Sequence, residues 1–168
     1  MTKVLGVAVV AALVLAGLGV EAVQGETRDT LLTMDSTVRL GANLKAGTEV
    51  PKPTGVPANA TGRFRGKSTF RSFTWQLTFF HLSGKAVAAH IHLSKPGKAG
   101  GVVLALCGPC TNGQKGAALL TKGQETKILE RATYVNIHTP KNAAGEIRGQ
   151  VATCRYDGLG HCVFRINP

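Results

Sequence analysis

Three histidines fall in two short stretches of one design. In the run Lys85 to Leu93, a period of two puts Val87, Ala89, Ile91 and Leu93 on one face. Ala88, His90 and His92 take the other. In Tyr134 to His138, Val135 and Ile137 are the apolar set, while Asn136 and His138 point the opposite way. Two imidazoles at i and i+2 stand about 6–7 Å apart along a strand, which is half of a metal site. A third imidazole from a neighbouring strand completes a facial set suited to copper or zinc. Asn136 or Glu146 would then fix the ring tautomers from behind. A plainer reading has His90 and His92 bonded to backbone or to Glu146, holding loops in place. Glu146 and Arg148 share a face at i and i+2, and suit a cross-strand salt bridge or the guidance of an anion toward a metal. His81 and His161 belong to neither stretch.

The second group with chemistry is the set of four cysteines. Cys107-Gly108-Pro109-Cys110 has the letters of a thioredoxin active site, whose first thiol is activated by a helix N-terminus. Here Thr111 to Gly116 is a poor helix start and no βαβ pattern surrounds it, so a structural cystine is expected. The local pairing is Cys107 with Cys110 and Cys154 with Cys162, among three possible connectivities. The latter bond would close a terminal hairpin and stabilise it by about 2–3 kcal/mol.

The elements that must carry these residues are short. Val38, Leu40 and Leu44 mark a first strand, and the three prolines of residues 49–57 make an extended loop or edge. Residues 61–71 alternate weakly and are basic. Phe73, Trp75, Leu77 and Phe79 alternate with Thr74, Gln76 and Thr78 in the clearest half-buried strand, with Phe80 and Leu82 expected to be covered. Ser83 to Lys85 reads as a hairpin-like turn into the histidine strand. Residues 94–101 form a Pro- and Gly-rich loop, and Val102 to Leu106 is a short apolar run. Residues 117–133 have some helical character, but Gly123 interrupts it, so two short strands or a strand and a turn are expected. Glu146 to Val151 alternates again, and residues 154–168 suit a last hairpin around Asp157 to Gly160. Many short strands at turn-marked intervals predict an all-β fold, an antiparallel Greek-key-like β-sandwich or barrel.

Residues 1–25 read as a secretory signal helix: Lys3, an unbroken apolar run from Val4 to Val20, then small residues at Ala22 and Gly25. The alternative is an uncleaved anchor. Residues 26–36 look like a loose lead into a domain at 37–153, followed by the disulfide hairpin at 154–168. An exported chain is also where cystines persist. The sequon Asn59-Ala60-Thr61 is a glycosylation acceptor if the producing cell has the machinery. With 20 basic against 9 acidic residues, the net charge is +11. That excess predicts attraction to anionic polysaccharide, cell-surface polymer or lipid headgroups, the alternative being a solvated basic surface with no dedicated partner. The export signal disfavours nucleic acid, and no membrane span is expected once the leader is removed.

These pieces together resemble the CHRD (chordin-type) domain. The resemblance is carried by LGANLKAGTEVPKP in the first strand, AAHIHLSKPGKAG followed by VVLAL, and YVNIHTPKNAAGEIRGQV, over about residues 38 to 151. It implies an extracellular β-sandwich-like module; the cysteine hairpin and the strong basicity depart from a short member. A weaker likeness is to copper–zinc superoxide dismutase, where a His-x-His pair and a later strand histidine bind copper outside a Greek-key barrel. His90, His92 and His138 match in order and facing, but the bridging histidine and the acidic zinc loop have no counterpart here. The expectation is therefore a secreted binding or structural module without turnover, holding copper or zinc through three histidines. The alternative is a copper-dependent, dismutase-like redox enzyme.

Overall fold

A computed structural model of the chain describes residues 37–156 and 161–168, with the side chains of 155 and 156 excluded. The expected signal helix, the segment 26–36 and the tip of the last hairpin lie outside those residues. What is described is all-β apart from a single short helix and a 3-10 turn. The strands are β1 (Val38–Lys45), β2 (Thr61–Thr69), β3 (Ser72–Phe80), β4 (Ala88–Leu93) and β5 (Val102–Cys107). They continue with β6 (Gln114–Leu119), α1 (Lys122–Glu130), β7 (Thr133–His138), β8 (Ile147–Gln150), β9 (Ala152–Tyr156) and β10 (Cys162–Ile166). Among the described residues no helix is long and apolar enough to cross a membrane.

All the strands join one antiparallel sheet in the order β5-β4-β7-β8-β1-β2-β3-β6, with β9 on β1 and β10 on β9. The sheet curls until its two halves share one interior. Leu40, Leu44, Phe64, Phe73 and Leu77 from one half meet Ala89, Ile91, Val135, Ile137 and Ile147 from the other in a single cluster. Each large side chain buried there contributes about 1.5–3 kcal/mol. The alternation read in β1, β3, β4 and β7 is what builds this interior.

Four expectations are corrected. Lys122–Glu130 is helical, because Thr121 caps it: the Thr121 hydroxyl accepts from the Gln124 N–H, and the Gln124 side chain accepts from the Thr121 N–H. Gly123 sits in the first turn, and Ile128 on the core side is fully buried. The link from β3 to β4 is a crossover and no hairpin, since β3 pairs with β2 and β6 while β4 pairs with β5 and β7. Phe80 is exposed, as the chain leaves the sheet at His81 with a positive φ. Val87 and Leu93, at the two ends of the histidine stretch, are also exposed, so only Ala89 and Ile91 face the interior. Both expected cystines are present, Cys107–Cys110 and Cys154–Cys162. A turn and β6 follow Cys110, which leaves no helix N-terminus to activate a thiol there.

Candidate metal centre

Strands β4 and β7 lie side by side, and their register puts His90 opposite Asn136 and Ala88 opposite His138. The outward faces of the two strands therefore merge. The ring centroids of His90 and His138 are 4.9 Å apart, those of His90 and His92 5.5 Å, and those of His92 and His138 6.1 Å. One nitrogen from each ring lies within 4.8 Å of the others. On its other side β4 meets β5 with register shifts next to His90 and His92, irregularities of the kind that re-aim side chains.

Backbone carbonyls set the ring orientations. His92 Nδ1 is 2.9 Å from the Gly100 carbonyl, and His138 Nδ1 is 2.9 Å from the Ala143 carbonyl. A carbonyl only accepts, so both Nδ1 atoms carry the proton and both Nε2 atoms keep a lone pair. His92 Nε2 is buried and has no hydrogen-bond partner. His138 Nε2 lies 3.0 Å from His90 Nδ1. In one tautomer His90 donates across that gap; in the other its Nδ1 lone pair faces the same point as the two Nε2 atoms. Bonds of about 2.0 Å to one tetrahedral ion place donor nitrogens about 3.3 Å apart. The His90–His138 pair is already near that spacing, and the three donor nitrogens together lie within 4.8 Å of one another.

Burial lowers the pKa of His90, and the neighbouring His138 and His92 lower it further. Burial likewise lowers that of His92, with His138 and Arg148 adding to it, against the pull of the Gly100 carbonyl and the Asn136 amide. Both rings therefore give up their proton more readily than a free imidazole, which favours the neutral form that binds metal.

The two carbonyls belong to loops that the rest of the outer face pins down. Arg148 on β8 is 1 % exposed. Its guanidinium donates to the carbonyls of Lys98 (2.9 Å) and Lys95 (3.2 Å), and its carbon lies 3.4 Å from the centroid of the Tyr134 ring. Tyr134 in turn stacks on His92, with planes 8° apart. Gln150 donates to the Ser94 carbonyl at 2.6 Å. Loop 94–101 is thus held over His92 by a layered guanidinium, phenol and imidazole. Gly100 must be glycine, because a Cβ there would fall 1.8 Å from the Leu93 carbonyl oxygen. The turn carrying Ala143 is held by Glu146, which is fully buried. Its carboxylate accepts from the Ser83 N–H (2.6 Å) and hydroxyl (2.5 Å), the Thr139 hydroxyl (2.5 Å) and the Asn142 amide (3.1 Å). Burial raises the Glu146 pKa, but these hydrogen bonds outweigh it and leave the group below the ordinary carboxylate value.

The structure thus separates residues that the sequence grouped. In place of the expected cross-strand salt bridge, Arg148 binds the Lys95 and Lys98 carbonyls and Glu146 binds Ser83, Thr139 and Asn142. They project from the same face but bind different loops, so neither is aimed at an anion beside the histidines. Glu146 acts on His138 only through the turn, and backbone carbonyls orient the rings of His92, as the plainer reading had it, and of His138. Asn136 is buried between the histidines and Glu49. Glu49, with Tyr134, Gln150 and Gly100, is a contributor that sequence reasoning missed. Burial raises the Glu49 pKa, opposed by the Val50 N–H, Arg148 and Asn136. Its carboxylate fits only because residue 145 is glycine at φ +136°, where a Cβ would sit 2.4 Å from Glu49 Oε2. Tyr134 and Gln150 were legible, being in period with Asn136 and Arg148; Glu49 and Gly100 lie in loops with no periodic signal. His81 is exposed and remote from the three-histidine cluster in the strand order.

Among known proteins, no curated protein and no solved structure matches the chain. The family model of the CHRD domain matches residues 40–151, about two thirds of its length, from β1 through both histidine strands to the end of β8. This chain belongs to the CHRD domain family.

Proposed function

We propose that this protein is a secreted binding module of the cell exterior that holds one copper or zinc ion through His90 Nδ1, His92 Nε2 and His138 Nε2. The observation that carries the reading is the buried, unpartnered His92 Nε2 facing two other imidazoles, with its own Nδ1 proton already committed to a carbonyl. A buried polar atom without a partner costs about 1–3 kcal/mol, and a metal bond removes that cost. Three imidazoles without a thiolate or carboxylate suit zinc or copper and leave a further position for water or a ligand. The leader-like residues 1–25 and the two cystines support export. Asn136 and Glu49 sit behind the ligands; Arg148 and Glu146 hold the loops that orient them.

Titration calorimetry of the purified protein with copper and with zinc tests this. One ion per chain is expected, and His92→Ala should abolish binding while the metal-free variant still unfolds cooperatively, at a lower temperature for the lost stack on Tyr134 and the lost bond to Gly100. Absence of binding by the unaltered protein overturns the reading. A second reading, a copper-dependent redox enzyme, is favoured by the partial exposure of His90, which opens the site to solvent. It requires superoxide-consuming activity restored by copper alone and lost in His92→Ala.

A further inference from the structure

The acidic residues among the described ones are Glu49, Glu125, Glu130 and Glu146. Glu49 and Glu146 are buried in the network above, and Glu125 and Glu130 belong to α1. Not one stands on a strand. The outward positions of β1, β2 and β6 instead carry Arg39, Lys45, Arg63, Arg65, Lys67 and Lys115, all exposed. Register puts Arg39 directly opposite Lys67, and sets Gly41 beside Arg65 and Asn43 beside Arg63. On the next strand Thr74, Gln76 and Thr78 lie beside Lys67, Arg65 and Arg63, and Gln76 also pairs with Lys115. Like charges directly opposite destabilise a sheet, so folding alone does not favour this arrangement.

Beside these cations, β1, β2 and the β9–β10 hairpin form a groove of about 740 Å³ lined in part by Arg39, Gly41, Arg63, Arg65, Phe164 and Ile166. Phe164 and Ile166 are each about half exposed. The Phe164 ring lies over Gly41, where a Cβ would stand 3.5 Å from it. An aromatic plate beside a cationic, hydroxyl-bearing and amide-bearing sheet is a surface for ring-shaped, hydroxylated, negatively charged units. Cations recur about 7 Å apart along β2 and continue across neighbouring strands, which exceeds one small anion and suits a polymer.

We infer that the outer face of β1, β2, β3 and β6, with the Phe164 groove at its side, is a docking surface for a linear anionic polysaccharide. Carboxylate or sulfate groups meet Arg39, Arg63, Arg65 and Lys67, and a sugar ring packs on Phe164. This deepens the reading of the chain as a binding module and does not depend on the metal, whose strands β4 and β7 belong to the other half of the sheet.

The test measures binding of the protein to polygalacturonate, dextran sulfate, inorganic polyphosphate and phosphatidylserine-containing vesicles, with and without a chelator. The triple variant Arg39→Ser/Arg63→Ser/Arg65→Ser should bind both polysaccharides about tenfold or more weakly, with a shallower salt dependence. A charge-matched control, Lys122→Ser/Lys127→Ser/Arg131→Ser on and after α1, should change binding less than about twofold. Phe164→Ala should weaken polygalacturonate about threefold and leave polyphosphate unaltered. Melting temperatures confirm that each variant is folded. Equal losses in the two triple variants, an unchanged Phe164→Ala, or binding confined to vesicles or polyphosphate would each overturn the inference. Chelation should leave polysaccharide binding intact, so failure of the metal reading and failure of this one give different results.

Discussion

At the scale of single residues, the site depends on which nitrogen of each ring holds the proton. The Gly100 and Ala143 carbonyls settle this for His92 and His138, and the lowered pKa values of His90 and His92 favour the neutral form of those rings. The sign of the pH dependence follows. Both rings take up protons more readily in the unfolded chain, so their effect on metal-free stability is absent above pH ~6.5 and becomes a loss as pH falls below it. Chemical denaturation of the metal-free protein should show stability falling from about pH 6.5 downward, and His90→Gln/His92→Gln should flatten that limb. Glu146 acts in a lower window. Its depressed pKa stabilises the fold above about pH 4.5, and that contribution is lost as pH falls through the folded value. Glu146→Gln places an amide donor among four donors and should cost about 2–3 kcal/mol at neutral pH, read from urea unfolding. The histidines themselves were legible because residue type and a period of two are both local. Their tautomers were not, since a carbonyl in a loop leaves no mark on side-chain pattern.

At the scale of elements, the roof over His92 is the part most sensitive to a conservative change. Arg148 reaches two carbonyls and lies flat on Tyr134 at once, which needs a planar fork. Arg148→Lys keeps the charge but loses the stacked geometry, so loop 94–101 should loosen. Faster amide exchange at Leu93 and Gly100, whose N–H groups bond Gly101 and Tyr134, is the expected signature, with metal affinity reduced about tenfold or more. Unchanged exchange would show that the loop holds itself. Strand periodicity exposed β1, β3, β4 and β7 in the sequence because each has one face in the interior. It failed at α1, where Gly123 reads as a break although the Thr121–Gln124 capping box starts the helix just before it, and at the β3–β4 link, where a short turn does not imply adjacent strands. It also failed at Val87 and Leu93, since alternation does not reveal where a strand leaves the interior.

At the scale of the whole molecule, the described strands keep their exposed charge of one sign. Two of the described carboxylates are buried as braces, while six cations cover the outside of one half of the sheet. The other half carries the histidines, so metal and polyanion would be read on separate parts of one sheet. The family match spans β1 to β8 and omits the β9–β10 hairpin, which supplies Phe164. The central claim is the three-nitrogen centre, and X-ray absorption at the metal edge of the zinc-loaded protein tests it most directly. The account predicts three imidazole nitrogens at about 2.0 Å, falling to fewer in His138→Ala. A first shell of oxygen alone, or one unaltered by His138→Ala, would contradict it.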